Sequence, residues 1–122
     1  MKARQSNHIK GVTYELVAAE YLERNGLQIL ETNYRISQGE IDLIVKDGEY
    51  LVFVEVKYRK SDAHGYPEEA VGIAKQRSIC RVSDHYRMKH QIGEFEPMRY
   101  DVVSILKNEI TWIKNAFPYR GY

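Results

Sequence analysis

Cysteine is nearly absent from this chain, with Cys80 as the sole representative. That excludes an internal disulfide and a zinc cluster built on cysteines. Proline is scarce as well. Pro67, Pro97 and Pro118 all fall between periodic segments, where chain-breaking residues belong. No apolar run approaches the roughly 18 residues of a membrane span. The basic stretch MKARQSNHIK lacks the apolar core of a signal peptide. Neither sign of charge is in surplus, since 18 Lys and Arg face 17 Asp and Glu, for a formal net charge of +1. A histone-like polycation is thereby excluded, and any grip on nucleic acid has to come from a local patch. Repeats, low-complexity tracts and linkers are missing too.

What remains is a chain of 122 residues, read as one domain over 1–122 at roughly 100–200 residues per domain. Charged residues make up 29% and the mean hydropathy is −0.53. A cytoplasmic protein with no membrane partner is expected. Ten tyrosines against three phenylalanines and one tryptophan suit either half-buried positions or a surface that meets polar ligands.

Periodicity orders the elements. Residues 8–25 read as a helix with Val12, Glu15, Ala18, Ala19 and Leu22 on one face, stopped by Asn25-Gly26. Strands are expected over 27–35, 40–46 and 50–58, the last two joined at Asp47-Gly48, a strong hairpin signal. A loop over 60–69 leads to a second helix that ends near Lys89, with Ile79, Val82 and Tyr86 as its stripe and Lys75 one turn earlier. Two more strands follow over 98–106 and 109–114, joined at Lys107-Asn108. This order predicts an α/β fold, with a central mixed sheet flanked by helices.

Three polar intrusions carry the functional reading. Glu15 sits on an apolar helix stripe, where an unpaired carboxylate costs several kcal/mol or takes up a proton. Asp42 interrupts EIDLIV, expected to point with Glu40 and Ile44, away from Ile41, Leu43 and Val45. In LVFVEVKYR the face of Leu51 and Phe53 turns charged at Glu55, Lys57 and Arg59. The hairpin brings Asp42 and Glu55 near each other, and two carboxylates about 5 Å apart repel by roughly 3 kcal/mol at an effective dielectric near 20. Lys57 offers one compensating charge, and a hard divalent cation such as Mg²⁺ or Mn²⁺ offers two. Glu15 would be a further ligand. Singly, each feature reads more often as a solvated ion pair, an edge-strand acid or a carboxylate facing a buried arginine. Jointly they suit phosphodiester hydrolysis, in which a cation polarises the phosphoryl group and an amine orients water.

The segments Gly11 to Glu15, AAEYLERNGLQIL, NYR, GEIDLIVKDG, LVFVEVKYR, GYPEEAV, AKQR, RYDVV and NAF resemble, in order and spacing, the YraN-like family of bacterial proteins. That family is similar to the PD-(D/E)XK superfamily of nucleases, which has a restriction-endonuclease-like αβββαβ core and includes Holliday-junction resolvases. The resemblance implies Asp42, Glu55 and Lys57 as catalytic residues. It also implies metal ligation by Glu15, Asp42, Glu55 and the Val56 carbonyl, with Mg²⁺ or Mn²⁺ as cofactor and Lys57 on the attacking water. Two positions depart from the pattern. Ile41 stands where the superfamily favours proline, and Tyr14 where a small residue precedes the helix acid.

Nucleic acid, DNA ahead of RNA, is the expected partner, and a homodimer is expected by analogy alone. Tyr14, Arg59, Lys75, Gln76 and Arg99 are its candidate contacts. Lys57, Arg59 and Lys60 make a basic strand end, while Lys75, Arg77, Arg81, Arg87 and Lys89 load the second helix. Interleaved Tyr58, Tyr66 and Tyr86 suit stacking on single-stranded or branched substrates. The same helix reads alternatively as a solvated face with a basic last turn. His8, His64, His85 and His90 lack metal spacing, and Cys80 is expected to be a packing residue. The reading that competes with an endonuclease is a non-catalytic nucleic-acid-binding module of the same fold.

Overall fold

The computed structural model describes residues 7–60 and 71–121, with side chains in the first helix from Thr13 onward. The elements run α1 (Asn7–Arg24), β1 (Gln28–Ile36), β2 (Gly39–Asp47), β3 (Tyr50–Arg59), α2 (Ile73–Lys89), β4 (Met98–Leu106) and β5 (Glu109–Phe117). This is the expected α/β order. The loop expected over 60–69 falls, beyond Lys60, outside the described residues, as do His64 and Tyr66.

α1 stops where Asn25-Gly26 predicts. Gly26 takes φ +90, its N–H reaches Glu23 O at 3.0 Å, and Leu27 N–H reaches Leu22 O at 3.1 Å. This double bond with a left-handed glycine is the Schellman stop, and its hydrophobic companions Leu22 and Leu27 are both buried. The hairpin between β2 and β3 closes on the pair Asp47–Tyr50, with Gly48 at φ +61 in the turn.

The strands lie in chain order, β1-β2-β3-β4-β5. β3 and β4 are parallel and every other pair is antiparallel. Only the parallel pair needs a crossover, and α2 supplies it. The mixed sheet with a helix on each face matches the restriction-endonuclease-like arrangement. On the α1 side Ala18 and Leu22 pack on Leu43, Val45, Val52, Val54, Val103 and Ile105. On the α2 side Ile79, Val82 and Tyr86 pack on Ile44, Phe53, Tyr100 and Val102. β3 is covered on both faces, as its density of apolar residues predicts.

Two features depart from simple alternation. Ile41 packs with Ile44 on the α2 side, while Leu43 and Val45 face α1. The expected grouping of Ile41 with Leu43 therefore fails at Asp42. The neighbouring strand is irregular as well, with a register shift between Ile29 and Glu31 and Asn33 at φ +52. The second departure is at β5, which runs on to Phe117 rather than stopping near 114. Its register against β4 shifts between Tyr100 and Val102. Asn115 there takes φ +54 and donates its N–H to Asp101 Oδ1 at 2.9 Å. A buried aspartate fills the bulge and lets the strand continue.

Candidate metal and nuclease site

The site begins where a ladder ends. β2 and β3 pair from Asp47–Tyr50 to Leu43–Val54. One further step would set Asp42 opposite Glu55. There the Asp42 carboxylate replaces the backbone bond, and Oδ2 accepts from Val56 N–H at 2.8 Å. N–H and C=O of a strand residue face the same neighbour, so the Val56 carbonyl is directed to this side as well. Asp42 is 7% exposed and Glu55 is 6% exposed. Two acids have thus been taken out of water within one gap.

Asp42 is the common neighbour of the other acids. Glu15 from α1 and Glu55 from β3 each make a carboxyl–carboxyl contact with it. Burial, then the Asp42 charge, push the Glu55 carboxyl up to about 8, against the pull of Lys75 and Lys57. Burial and then Asp42 push Glu15 up to about 7, while a hydrogen bond from Asn33 acts the other way and the Glu40 charge adds to the rise. Asp42 is itself raised, chiefly by burial, although the Val56 N–H opposes it. Glu15 Oε1 is buried with no hydrogen-bond partner.

The donor set consists of carboxylate oxygens with a backbone carbonyl alongside, the chemistry of a hard divalent cation. The orphaned Glu15 oxygen and the mutually raised acids are relieved by such a charge, so the residues fit Mg²⁺ or Mn²⁺. Among the described residues no three acids, histidines or cysteines are already gathered around one point. The acids instead adjoin in pairs through Asp42, and Glu55 leans toward α2, where Lys75 Nζ stands 3.8 Å from its Oε2.

A pH dependence follows for the metal-free protein. The folded state holds a proton on Glu55 that the unfolded chain releases at its ordinary value of 4.5. Stability from this group is full below about 4.5 and drains away as pH rises through about 8. Denaturant titrations in a chelator should show wild type losing on the order of 4 kcal/mol from pH 5 to pH 9. Glu55→Gln should reduce that slope, with the raised Glu15 and Asp42 supplying what remains, whereas equal slopes in the two proteins would contradict the assignment.

Residues 14–105 match the model of the uncharacterised protein family UPF0102. The chain belongs to that family. It is similar to a UPF0102 protein of Lachnoclostridium phytofermentans, at 49% identity over 113 residues, covering 93% of this chain and 96% of the relative. A UPF0102 protein of Legionella pneumophila is 43% identical over 110 residues, covering 88% and 93%. One from Aliivibrio fischeri is 41% identical over 119 residues, covering 95% and 97%. The UPF0102 match begins at Tyr14, beside Glu15, and takes in every acid and amine of the gap.

The remaining candidates in this UPF0102 chain part company. Lys57 lies two residues along the strand from Glu55 and acts on its charge. Tyr14 stacks on Tyr58 at 3.7 Å and 10°, so one ring face is already spent. Gln76 donates to Val71 O at 2.9 Å and accepts from Arg120, which makes it a brace of α2. Arg59 stands at the end of β3, opposite Leu106. Arg99 is not brought to the acids. It lies opposite Val52, toward the other end of the parallel pair, bound to Asp47 at 2.6 Å and Asp101 at 3.0 Å with its side chain 11% exposed. Asn33 and Glu40, which both act on Glu15, escaped the sequence reading. A signal existed for Asn33, because asparagine is the residue that most readily takes a positive φ after glycine.

Among the described residues no helix is long and apolar enough to cross a membrane. Cys80 is fully buried as expected, accepting from the Arg120 N–H at 3.2 Å.

Proposed function

We propose that this protein is a Mg²⁺- or Mn²⁺-dependent endonuclease that hydrolyses phosphodiester bonds in DNA, with branched or repair intermediates as the substrate class. The observation that carries the reading is the Asp42 gap, in which the buried Glu55 and the half-buried Glu15 flank one buried carboxylate and Glu15 keeps an orphaned oxygen.

In this reading Glu15, Asp42, Glu55 and the Val56 carbonyl hold the cation. When bound, the cation supplies positive charge that polarises a phosphoryl oxygen and acidifies water. Val56 N–H fixes the Asp42 carboxylate, and the burial of Asp42 and Glu55 reduces the screening of their charge by bulk water. Lys57 orients water toward phosphorus and donates to the charge that develops on the phosphoryl oxygens. Arg59 and the basic residues of α2 hold the flanking phosphates.

The test is cleavage by pure protein, with Mg²⁺ or Mn²⁺, of single-stranded, duplex, flapped and four-way DNA. Wild type should cut at least one substrate, and Glu55→Ala should not. Cutting by both proteins alike would remove the assigned site.

The Lys75–Glu55 pair favours one second reading. If that amine is the permanent neutraliser of Glu55, the domain binds nucleic acid without cutting it. Salt-sensitive binding that ignores metal, with no cleavage of any substrate, is its signature.

A further inference from the structure

We infer that Lys75 is a resident positive charge beside Glu55 that a divalent cation must displace, so that loading the acid gap frees an amine at its rim. This inference rests on the cation site proposed above and adds a device to it.

The two side chains are unequal. The Glu55 side chain is 7% exposed and that of Lys75 is 43% exposed, with Nζ 3.8 Å from Oε2. The carboxylate is fixed in the sheet, whereas the lysine reaches in on a flexible stem from outside. Its helix is held firmly. Gln76 N–H bonds to Gly72 O at 2.9 Å, the Gln76 amide bonds to Val71 O at 2.9 Å, and Ser78 Oγ donates to Gln38 O at 3.0 Å. Gly39 follows directly, and a Cβ there would come 2.4 Å from Ser78 Oγ, so α2 rests against the start of β2. The helix backbone therefore does not have to move for the amine to leave.

An ammonium beside the Glu55 carboxyl repels an arriving divalent cation at this separation, whether or not the carboxyl carries a proton. Glu55 meets α2 at this pair, and among the described residues the acids adjoin through Asp42 without being gathered around one point. Coupling of this kind is reciprocal. A phosphate that takes up the freed amine tightens metal binding, and bound metal tightens the grip on phosphate. Loading of metal and of substrate thus support each other.

The experiment is calorimetric titration of Mn²⁺ into wild type, Lys75→Met and Arg77→Met, with lysine acetylation rates read by mass spectrometry. Arg77 is exposed on the same helix and controls for the loss of one positive charge. Lys75→Met should bind Mn²⁺ about threefold to fivefold more tightly than wild type, the span of a partly exposed ion pair. Arg77→Met should stay within about twofold. Mn²⁺ should also speed acetylation of Lys75 in wild type. Equal or weaker binding by Lys75→Met, equal tightening by Arg77→Met, or an acetylation rate indifferent to Mn²⁺ overturns the inference while leaving the cation site in place. Failure of both wild type and Lys75→Met to bind Mn²⁺ overturns the site and the inference together.

Discussion

Lys57→Ala should slow metal-dependent cleavage about a hundredfold to ten-thousandfold, the range of a positioned proton-transfer or charge-stabilising group. Its Mn²⁺ affinity should stay within a few fold of wild type. The separation of rate from affinity is the informative part. Lys57 sits on the face of Glu55 but brings no ligand oxygen, so its removal leaves the acids and takes away only the group that the proposed mechanism assigns to water and phosphate. Glu55→Ala should lose both rate and affinity. Lys57→Arg should recover little, because a planar guanidinium does not replace a compact amine at a point contact. Single-turnover cleavage rates, set beside titrated Mn²⁺ affinity, give the comparison. A Lys57→Ala protein that cuts at the wild-type rate would remove the amine from the chemistry.

Asp101→Ala should cost about 3–5 kcal/mol of stability, the usual loss when one partner of a buried ion pair is removed. That corresponds to a fall in Tm of about 10–20 °C for a domain of this size. Asp101 is 1% exposed, and its two oxygens are fully engaged. They accept from Arg99 Nε at 3.0 Å and Nη2 at 3.1 Å, from Trp112 Nε1 at 2.9 Å and from Asn115 N–H at 2.9 Å. Alanine would leave an indole and a backbone donor without partners and half-strip a buried guanidinium. Thermal unfolding followed by circular dichroism checks this. A Tm within about 3 °C of wild type would mean that water enters and replaces the carboxylate. The same network assigns Arg99 to the fold, and Arg99→Ala should unfold the protein more readily than it weakens a nucleic-acid contact.

Much of this architecture is legible in the sequence. Local signals place α1, its stop at Gly26 and the hairpin at Gly48, because glycine geometry and periodicity act over a few residues. The hairpin also yields the nearness of Asp42 and Glu55, since register follows from turn position. What escapes depends on long-range partners. The turn of Ile41 toward α2 accompanies a positive φ at Asn33 on the neighbouring strand. The continuation of β5 to Phe117 depends on Asp101, fourteen residues before Asn115. The engagement of Arg99 needs Asp47, fifty-two positions away. The pairing of Tyr14 with Tyr58 needs α1 docked on β3. Lys75 is visible as a basic residue on an apolar stripe, yet its attachment to Glu55 appears only once α2 lies across the sheet.

The account turns on whether the Asp42 gap receives a divalent cation in place of the protons that burial has put there. Titration of Mn²⁺ into the metal-free protein at pH 7, repeated in buffers of different ionisation enthalpy, measures the cation and the displaced protons together. Binding should release about one proton at pH 7 and almost none above pH 9, and Asp42→Asn should abolish it. An uptake of Mn²⁺ that releases no proton and ignores Asp42→Asn, or no uptake at all, would contradict the account.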